Sequence, residues 1–394
     1  MEENNRRCPI CESDNKRQIK HIKNVVPSDF ILPSEYDIVV CNNCGFVFND
    51  VPESKCYAEY YSKYKENTNF SIPSEPGYIH TKEKRESRYF TTVDFIKNST
   101  NMNQSAAILD IGCSFGGILT ILKNEGFSNL SALDLDTVSI GCLREIGIKS
   151  KEGSIFSEDI PEYANKFDLI ILGHILEHLH EPKKAISNIS RWLKNDGKVY
   201  IECPDLYQYP KTSPFPGFFA EWEHINHFSI VSLMNLMNNY SLKSYCTGTI
   251  YALIEEFPCL YALFEKSSQI NELYKTRNDE ISMLRSLSIP TEEGVKTLAH
   301  IEKLKDNDIA IWGAGQYCYM LLSNTPLSNC NIQYIVDKDE KKHGKSILGI
   351  EITGPQNLKD FNGTIVVCST TAKEHIVSDI QKMGLTNDVA IPFI

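Results

Sequence analysis

Residues 108–117 read Ile-Leu-Asp-Ile-Gly-Cys-Ser-Phe-Gly-Gly, and this stretch decides the fold expected of the chain. Leu109 and Ile111 belong to a short apolar run of the kind that forms a buried strand, and Gly112, Gly116 and Gly117 free the backbone to turn tightly behind it. Ile118, Leu119, Ile121 and Leu122 then start a helix that Gly126 can end, because glycine tolerates the left-handed conformation past a helix C-terminus. Strand, glycine turn and helix make the first half of a nucleotide-binding βαβ unit.

The glycine spacing separates two ligand classes. A dinucleotide site wants G-x-G-x-x-G, but Ser114 stands at the second glycine's place. The stretch offers instead a carboxylate, Asp110, two residues before Gly112, which suits a cationic ligand better than a phosphate. The order Leu-Asp-Ile-Gly-Cys-x-x-Gly resembles the first motif of class I S-adenosylmethionine (SAM) methyltransferases. The resemblance implies that Asp110, Gly112 and Gly116 lie under the methionine part of that cofactor. The bland alternative, an ordinary glycine turn, recedes once the next strand, residues 130–134, is added. Asp134 ends it 24 residues after Asp110, where a carboxylate can accept both ribose hydroxyls. Asp136 is expected in the turn that follows.

A chain of 394 residues is too long for one core, so two or three domains are expected. Its 42% hydrophobic and 23% charged residues are ordinary for a globular protein. A net charge of -11 argues against nucleic acid as a partner, since phosphate contacts draw on clustered Lys and Arg. Residues 1–25 contain no apolar signal region, and no later apolar run reaches membrane-spanning length, so a cytoplasmic protein without membrane contact is expected. Thirteen cysteines, an odd number, point to reduced thiols and a metal site in place of a disulfide framework.

That metal site is expected at Cys8-Pro9-Ile10-Cys11 and Cys41-Asn42-Asn43-Cys44. Two C-x-x-C knuckles supply four thiolates for a tetrahedral Zn²⁺, and Gly45 with Phe46-Val47-Phe48 fits a ribbon returning into a strand. Structural zinc is favoured over redox thiols, and acidic surroundings weaken a nucleic-acid grip. Tyr57, Tyr60, Tyr61, Tyr64, Tyr78 and Tyr89 crowd the segment that follows, which turns helical from Lys82 to Ile96. Packing between lobes is favoured for them over a polar pocket.

After Asp134 the alternation continues. Gly153-Ser154-Ile155-Phe156 follows a third strand, where the methyltransferase resemblance places adenine contacts, on Ser154 and Ile155. Residues 167–172 form a β-branched fourth strand, a helix runs from Pro182 to Leu193, Asn195-Asp196-Gly197 is a turn signal, and residues 198–202 are the fifth strand. Five strands alternating with helices predict a parallel sheet with its ligand at the carboxyl edge. His-Ile-Leu-Glu-His-Leu-His-Glu-Pro, residues 174–182, invites a metal reading. It lacks a zincin's spacing, however, because Glu177 directly precedes the second histidine. It is read as a cofactor or substrate wall, with His174 as the expected pocket member.

Residues 221–229 read Glu-Trp-Glu-His-Ile-Asn-His-Phe-Ser. With the zinc lobe, the central domain and the last lobe, they resemble sugar C-methyltransferases acting on nucleotide-linked keto-deoxysugars, where this region reads Tyr-His-Glu-His-x-x-Tyr-Phe-Ser. Glu223, His224, Phe228 and Ser229 match, while Glu221 and His227 replace the two tyrosines. The resemblance implies that Glu223 and His224 are the catalytic pair.

Residues 255–305 read as helices with a solvated face, broken at Pro290. The last lobe opens with Ile309-Ala310-Ile311-Trp312-Gly313-Ala314-Gly315, and Asp337 lies 22 residues beyond Gly315. Cys318 holds the third glycine's place, so a scaffold or sugar-nucleotide-contacting lobe is favoured over an NAD site. Residues 364–370 add another buried strand. The expected architecture is α/β: a zinc-binding lobe at 1–75, a Rossmann-like SAM methyltransferase domain at 76–250, a helical connector at 251–305 and a Rossmann-like lobe at 306–394. The expected function is methyl transfer from SAM to a nucleotide-activated sugar, at carbon, with His224 as base and Glu223 orienting it or holding the sugar. The alternatives are an O- or N-methyltransferase, an NAD-dependent sugar-nucleotide oxidoreductase and a zinc-ribbon RNA-binding protein.

Overall fold

The computed structural model describes residues 6–52, 57, 59–61, 88–157, 160–252, 257–268, 272–370 and 372–392. Tyr64, Tyr78 and the start of the helix expected from Lys82 lie outside them. The chain groups into two compact units: Met1–Arg17, Val39–Gln208 and Glu223–Glu280 make the first, and Gln18–Ile38, Tyr209–Trp222 and Ile281–Ile394 the second. No helix among the described residues is long and apolar enough to cross a membrane.

Strands β1 (Lys16–Lys23), β2 (Glu35–Cys41) and β3 (Val47–Asp50) come first in the chain. In the first unit they are followed by β4 (Ile108–Ile111), β5 (Leu130–Asp134), β6 (Lys149–Glu152), β7 (Phe167–Gly173), β8 (Leu193–Pro204), β9 (Asn226–His227), β10 (Leu242–Ala252) and β11 (Phe257–Lys266). Seven of these form one sheet in the order β10-β11-β8-β7-β4-β5-β6. The stretch from β6 to β8 is parallel and spells 3-2-1-4-5, a doubly wound order whose carboxyl edge holds the ligand crevice. Apart from Asp110, β4 is apolar, as is the centre of β7, because helices cover both faces, and Leu109, Ile170, Ile171 and Leu172 are fully buried.

Two local expectations are corrected. Residues 257–266 were expected to be helical, yet they form β11, antiparallel to both β8 and β10. Cys259, Leu260, Ala262, Leu263 and Phe264 are all buried, so this run has no solvated helical face and fits a strand inside the sheet. Helix follows only at Asn278–Ser286 and Glu292–Glu302. The turn signal at 195–197 is not a loop but an irregularity within β8. Phe167 pairs with Leu193 while Leu169 pairs with Lys198, so the extra residues bulge from the ladder.

The second unit carries β12 (Asp308–Trp312), β13 (Asn331–Val336), β14 (Ser346–Ile347), β15 (Ile350–Thr353), β16 (Thr364–Val367) and β17 (Val389–Ala390). They form a six-stranded sheet in the order β14-β15-β13-β12-β16-β17, parallel except for the β14–β15 pair. Trp312, Val336, Ile365 and Val367 pack against Ile376 and Ile380 of the helix Lys373–Lys382.

Candidate functional site

The glycine turn after β4 is held from both sides. Gly112 has φ +67°, its N–H donates to Leu133 O at 2.8 Å, and a Cβ there would fall 2.0 Å from Ile175 Cδ1. Gly116, at φ +72°, caps the helix Gly117–Asn124, and a Cβ there would strike Leu143. Neither site accepts another residue without moving its neighbours. Ser114 N–H donates to Asp134 Oδ2 at 2.8 Å, while Oδ1 accepts from Asp136 N at 2.9 Å. Asp136 in turn caps the helix Thr137–Glu145 by accepting from Ser139 N at 2.7 Å.

Asp110 is buried, and its carboxyl is pushed up to about 8 by burial first and Asp134 second, with Arg88 opposing. A buried acid in that state gains by meeting a positive charge. Of the two residues expected at adenine, Ser154 Oγ accepts from Phe156 N at 3.1 Å. Ile155 is buried in the core, with its carbonyl taken by Asn188 Nδ2 at 2.8 Å.

His174, the expected pocket member, follows β7 at its carboxyl end with its side chain 21% exposed. It sits at φ +56° directly after β7, with Nδ1 3.1 Å from Glu177 Oε1 and Nε2 3.1 Å from Glu202 Oε1. Both glutamates are buried, and Cys259 Sγ lies 3.5 Å from Nε2. Burial and Arg88 press the His174 pKa down, but Cys259, Glu177 and Glu202 raise it well above the ordinary value, so the ring is an imidazolium. Glu202 also accepts from Tyr200 OH at 2.7 Å and Thr92 Oγ1 at 3.0 Å, and pairs with Arg88 Nε at 3.4 Å. The result is an alternating chain of charges, Arg88 to Glu202 to His174 to Glu177, in which the glutamates are buried and Arg88 and His174 partly exposed.

That chain ends on a trio. Glu177, His178 and His224 bring one potential ligand atom each within 4.8 Å of one another. His178 Nδ1 lies 3.0 Å from Glu223 O and therefore carries the proton, leaving the lone pair on Nε2, which is 3.9 Å from Glu177 Oε1. The rings of His178 and His224 are 4.9 Å apart, and Tyr61 stands edge-on to His178 at 5.7 Å. Burial lowers His178 and takes His224 down to about 4, so both are neutral near pH 7. Burial raises the Glu177 carboxyl, yet His174 beside it and the neighbouring histidines hold it at about 2.

The motif around His224 divides by role. Glu223 is buried and accepts from Tyr60 OH at 2.7 Å. His227 is fully buried against Asn49 Oδ1 at 3.0 Å and depressed by burial to about 3, Phe228 packs on Phe46, and Ser229 caps the helix Ile230–Asn238. Those three hold structure. Glu221 belongs to the second unit, where Gln316 Nε2 donates to it.

The four cysteines converge as expected. Cys8 Sγ lies 3.6 Å from Cys44 Sγ and Cys11 Sγ 3.5 Å from Cys41 Sγ, with all four sulfurs within 4.8 Å. A zinc thiolate tetrahedron with bonds of about 2.3 Å has edges of roughly 3.8 Å, so the donor set fits that ion. Arg6 follows from this lobe into the site. Its buried guanidinium donates to the carbonyls of Asn49, Leu179, His180 and Ile225 and to Asn226 Oδ1, at 2.8–3.3 Å.

In the second unit, Ala314 N–H and Lys342 Nζ both reach Asp337 Oδ2 at 2.8 Å, and Cys318 is fully buried. Its own loop holds Asp337 as the glycine-turn loop holds Asp134, and what differs is Lys342, which pairs with the carboxylate that a dinucleotide site would turn to ribose. Sequence reasoning gave no part to Arg6 or Arg88, favoured packing for Tyr60, and did not bring Glu177 and His178 together with His224. The H-I-L-E-H run carried a signal for Glu177 and His178, since His178 lies four residues after His174, whereas Arg6 and Tyr60 sit in stretches with no periodic pattern.

Residues 82–246 match the sequence family described as a methyltransferase domain, and residues 305–391 match the family described as C2185-like, N-terminal. Over 118 residues the chain is 28% identical to a ubiquinone biosynthesis O-methyltransferase of Actinobacillus pleuropneumoniae, covering 28% of this chain and 50% of that protein. Over 177 residues it is 28% identical to a tRNA U34 carboxymethyltransferase of Campylobacter hominis, covering 44% of this chain and 58% of that protein. The chain spans about half the length of the curated relatives it matches. A solved 1,6-didemethyltoxoflavin-N1-methyltransferase from Burkholderia thailandensis is 13% identical with a TM-score of 0.41, over 58% of this chain and 97% of that one. The PH0226 protein from Pyrococcus horikoshii is 16% identical with a TM-score of 0.41, over 53% of this chain and 99% of that one.

Proposed function

We propose that this chain, whose central segment is a class I SAM-dependent methyltransferase domain, methylates a nucleotide-linked keto-deoxysugar at the carbon beside its ketone. The observation that supports proton removal is the pair of neutral imidazoles, His178 and His224, beside the ionised and buried Glu177. The sugar as acceptor rests on the likeness of residues 221–229, with Glu223 and His224, to sugar C-methyltransferases.

The residues around the glycine turn fit a cationic nucleoside: Asp134 for the ribose hydroxyls, and Asp110 beneath the positive end. Bound there, SAM would supply a methyl group on a good leaving group. His224 takes the proton from the acidified carbon, and the imidazolium it becomes is stabilised by Glu177. Glu223 fixes His178 through its carbonyl and keeps its own carboxylate on Tyr60, ready to hold a sugar hydroxyl. Positioning and proton removal supply most of the rate that the protein must provide. Zinc on Cys8, Cys11, Cys41 and Cys44 has a structural role, since the site is closed by four thiolates.

The test is incubation with labelled SAM and a panel of keto and reduced dTDP, GDP and CDP sugars, read by mass spectrometry. A mass gain of one methyl, carbon-bound by NMR, on a keto-sugar is the expected result. Label only on oxygen or nitrogen favours the O- or N-methyltransferase reading, and tight NAD binding without SAM binding overturns methyl transfer altogether.

A further inference from the structure

We propose that Glu177, His178 and His224 form a second metal site, distinct from the four cysteines, for a borderline divalent cation such as Zn²⁺ or Co²⁺. Two imidazoles and one carboxylate are a donor set that holds such ions while leaving coordination positions open. The three donors lie within 4.8 Å of one another. Ligands about 2.1 Å from an ion sit roughly 3.0–3.4 Å apart, so modest side-chain rotation closes the set.

What lifts this trio above a chance cluster is the layer behind it. Metal-binding histidines give their second N–H to a carbonyl or carboxylate. His178 Nδ1 meets Glu223 O at 3.0 Å, which aims Nε2 toward Glu177. Glu177 Oε1 forms an ion pair with His174 Nδ1 at 3.1 Å while both of its buried oxygens lack a hydrogen-bond partner among the described residues, and His174 is held from behind by Glu202. Glu177 is buried while both histidines are half-buried. A cation here takes the His224 lone pair that proton removal requires. Occupancy and methyl transfer therefore exclude each other, a consequence that rests on the function proposed above; the site itself does not.

The experiment uses full-length protein carrying one zinc per chain, titrated with Co²⁺ and followed by visible absorption and metal analysis. One further Co²⁺ per chain is expected, with d–d bands and no thiolate-to-cobalt charge transfer. His178→Ala and Glu177→Gln should weaken it at least about tenfold, while His21→Ala, an exposed histidine outside the site, should not change it. Should Glu177→Gln lose its melting transition, the half-buried His178→Ala decides alone. Absence of a second equivalent, thiolate bands only, or equal binding by His178→Ala overturns the proposal. Cobalt binding is read without turnover, so its failure leaves the methyl-transfer reading standing, and failure of the sugar assay leaves the metal site standing.

Discussion

Arg6, two residues before Cys8, donates to the carbonyl of His180 at 2.8 Å and to that of Ile225 at 3.2 Å. One buried guanidinium thus ties together the segment after His178 and the segment after His224. Asn226 repeats the tie, its Nδ2 donating to Leu176 O at 2.8 Å and Leu179 O at 2.7 Å.

Arg6→Met should therefore lower stability by about 3 kcal/mol, because several buried carbonyls lose their donor at once. Urea denaturation measures it. Arg6→Lys should recover little, since a point ammonium cannot serve five acceptors spread around a planar fork. Near wild-type stability in Arg6→Met would remove the tie.

His224→Ala should cost at least about 100-fold in turnover, the usual share of a positioned base, with SAM affinity near wild type. Single-turnover rates and calorimetric titration with SAM check the two halves. Unchanged turnover would take His224 out of the base role.

The pH profile follows from the same residue. Burial depresses His224 to about 4, so it stays unprotonated well below the ordinary histidine range. The acid limb of kcat/KM should have its midpoint nearer 4 than 6.5.

His227 makes an opposite-looking contribution to stability. In the folded chain burial holds it at about 3, whereas the unfolded chain takes up a proton near 6.5. Between those values the unfolded state binds more protons, so stability is full above about 6.5 and falls as pH drops toward 3. Melting temperatures at pH 7.5 and 5 measure the slope, and His227→Gln, which can still donate to Asn49, should flatten it.

Gly112→Ala should abolish SAM binding or fold poorly. Its Cβ would meet Ile175 at 2.0 Å on a backbone at φ +67°. Adding Ile175→Ala should recover part of the loss, as read by calorimetry with SAM.

The periodic and local features were legible in the sequence. The apolar β4 and β7 runs, the glycine turn, Asp134 at the end of β5 and the two cysteine knuckles each follow from spacing along the chain, because neighbours within a strand or tight turn are set by local geometry. Residues 257–266 misled because a short apolar run is compatible with helix or interior strand, and only pairing with β8 and β10 chooses. His174 was legible as a residue at the carboxyl edge but not as an imidazolium. Its charge depends on Glu177, Glu202 and Cys259, the last 85 residues away in sequence. The sequence by itself determined the turn, the place of Asp134 at the end of β5 and the thiolate set. Tertiary structure alone decided which histidines are neutral, which one is charged, and that Arg6 joins the four-cysteine lobe to both site segments, since burial and long-range pairing set those energies and neither is written in local spacing.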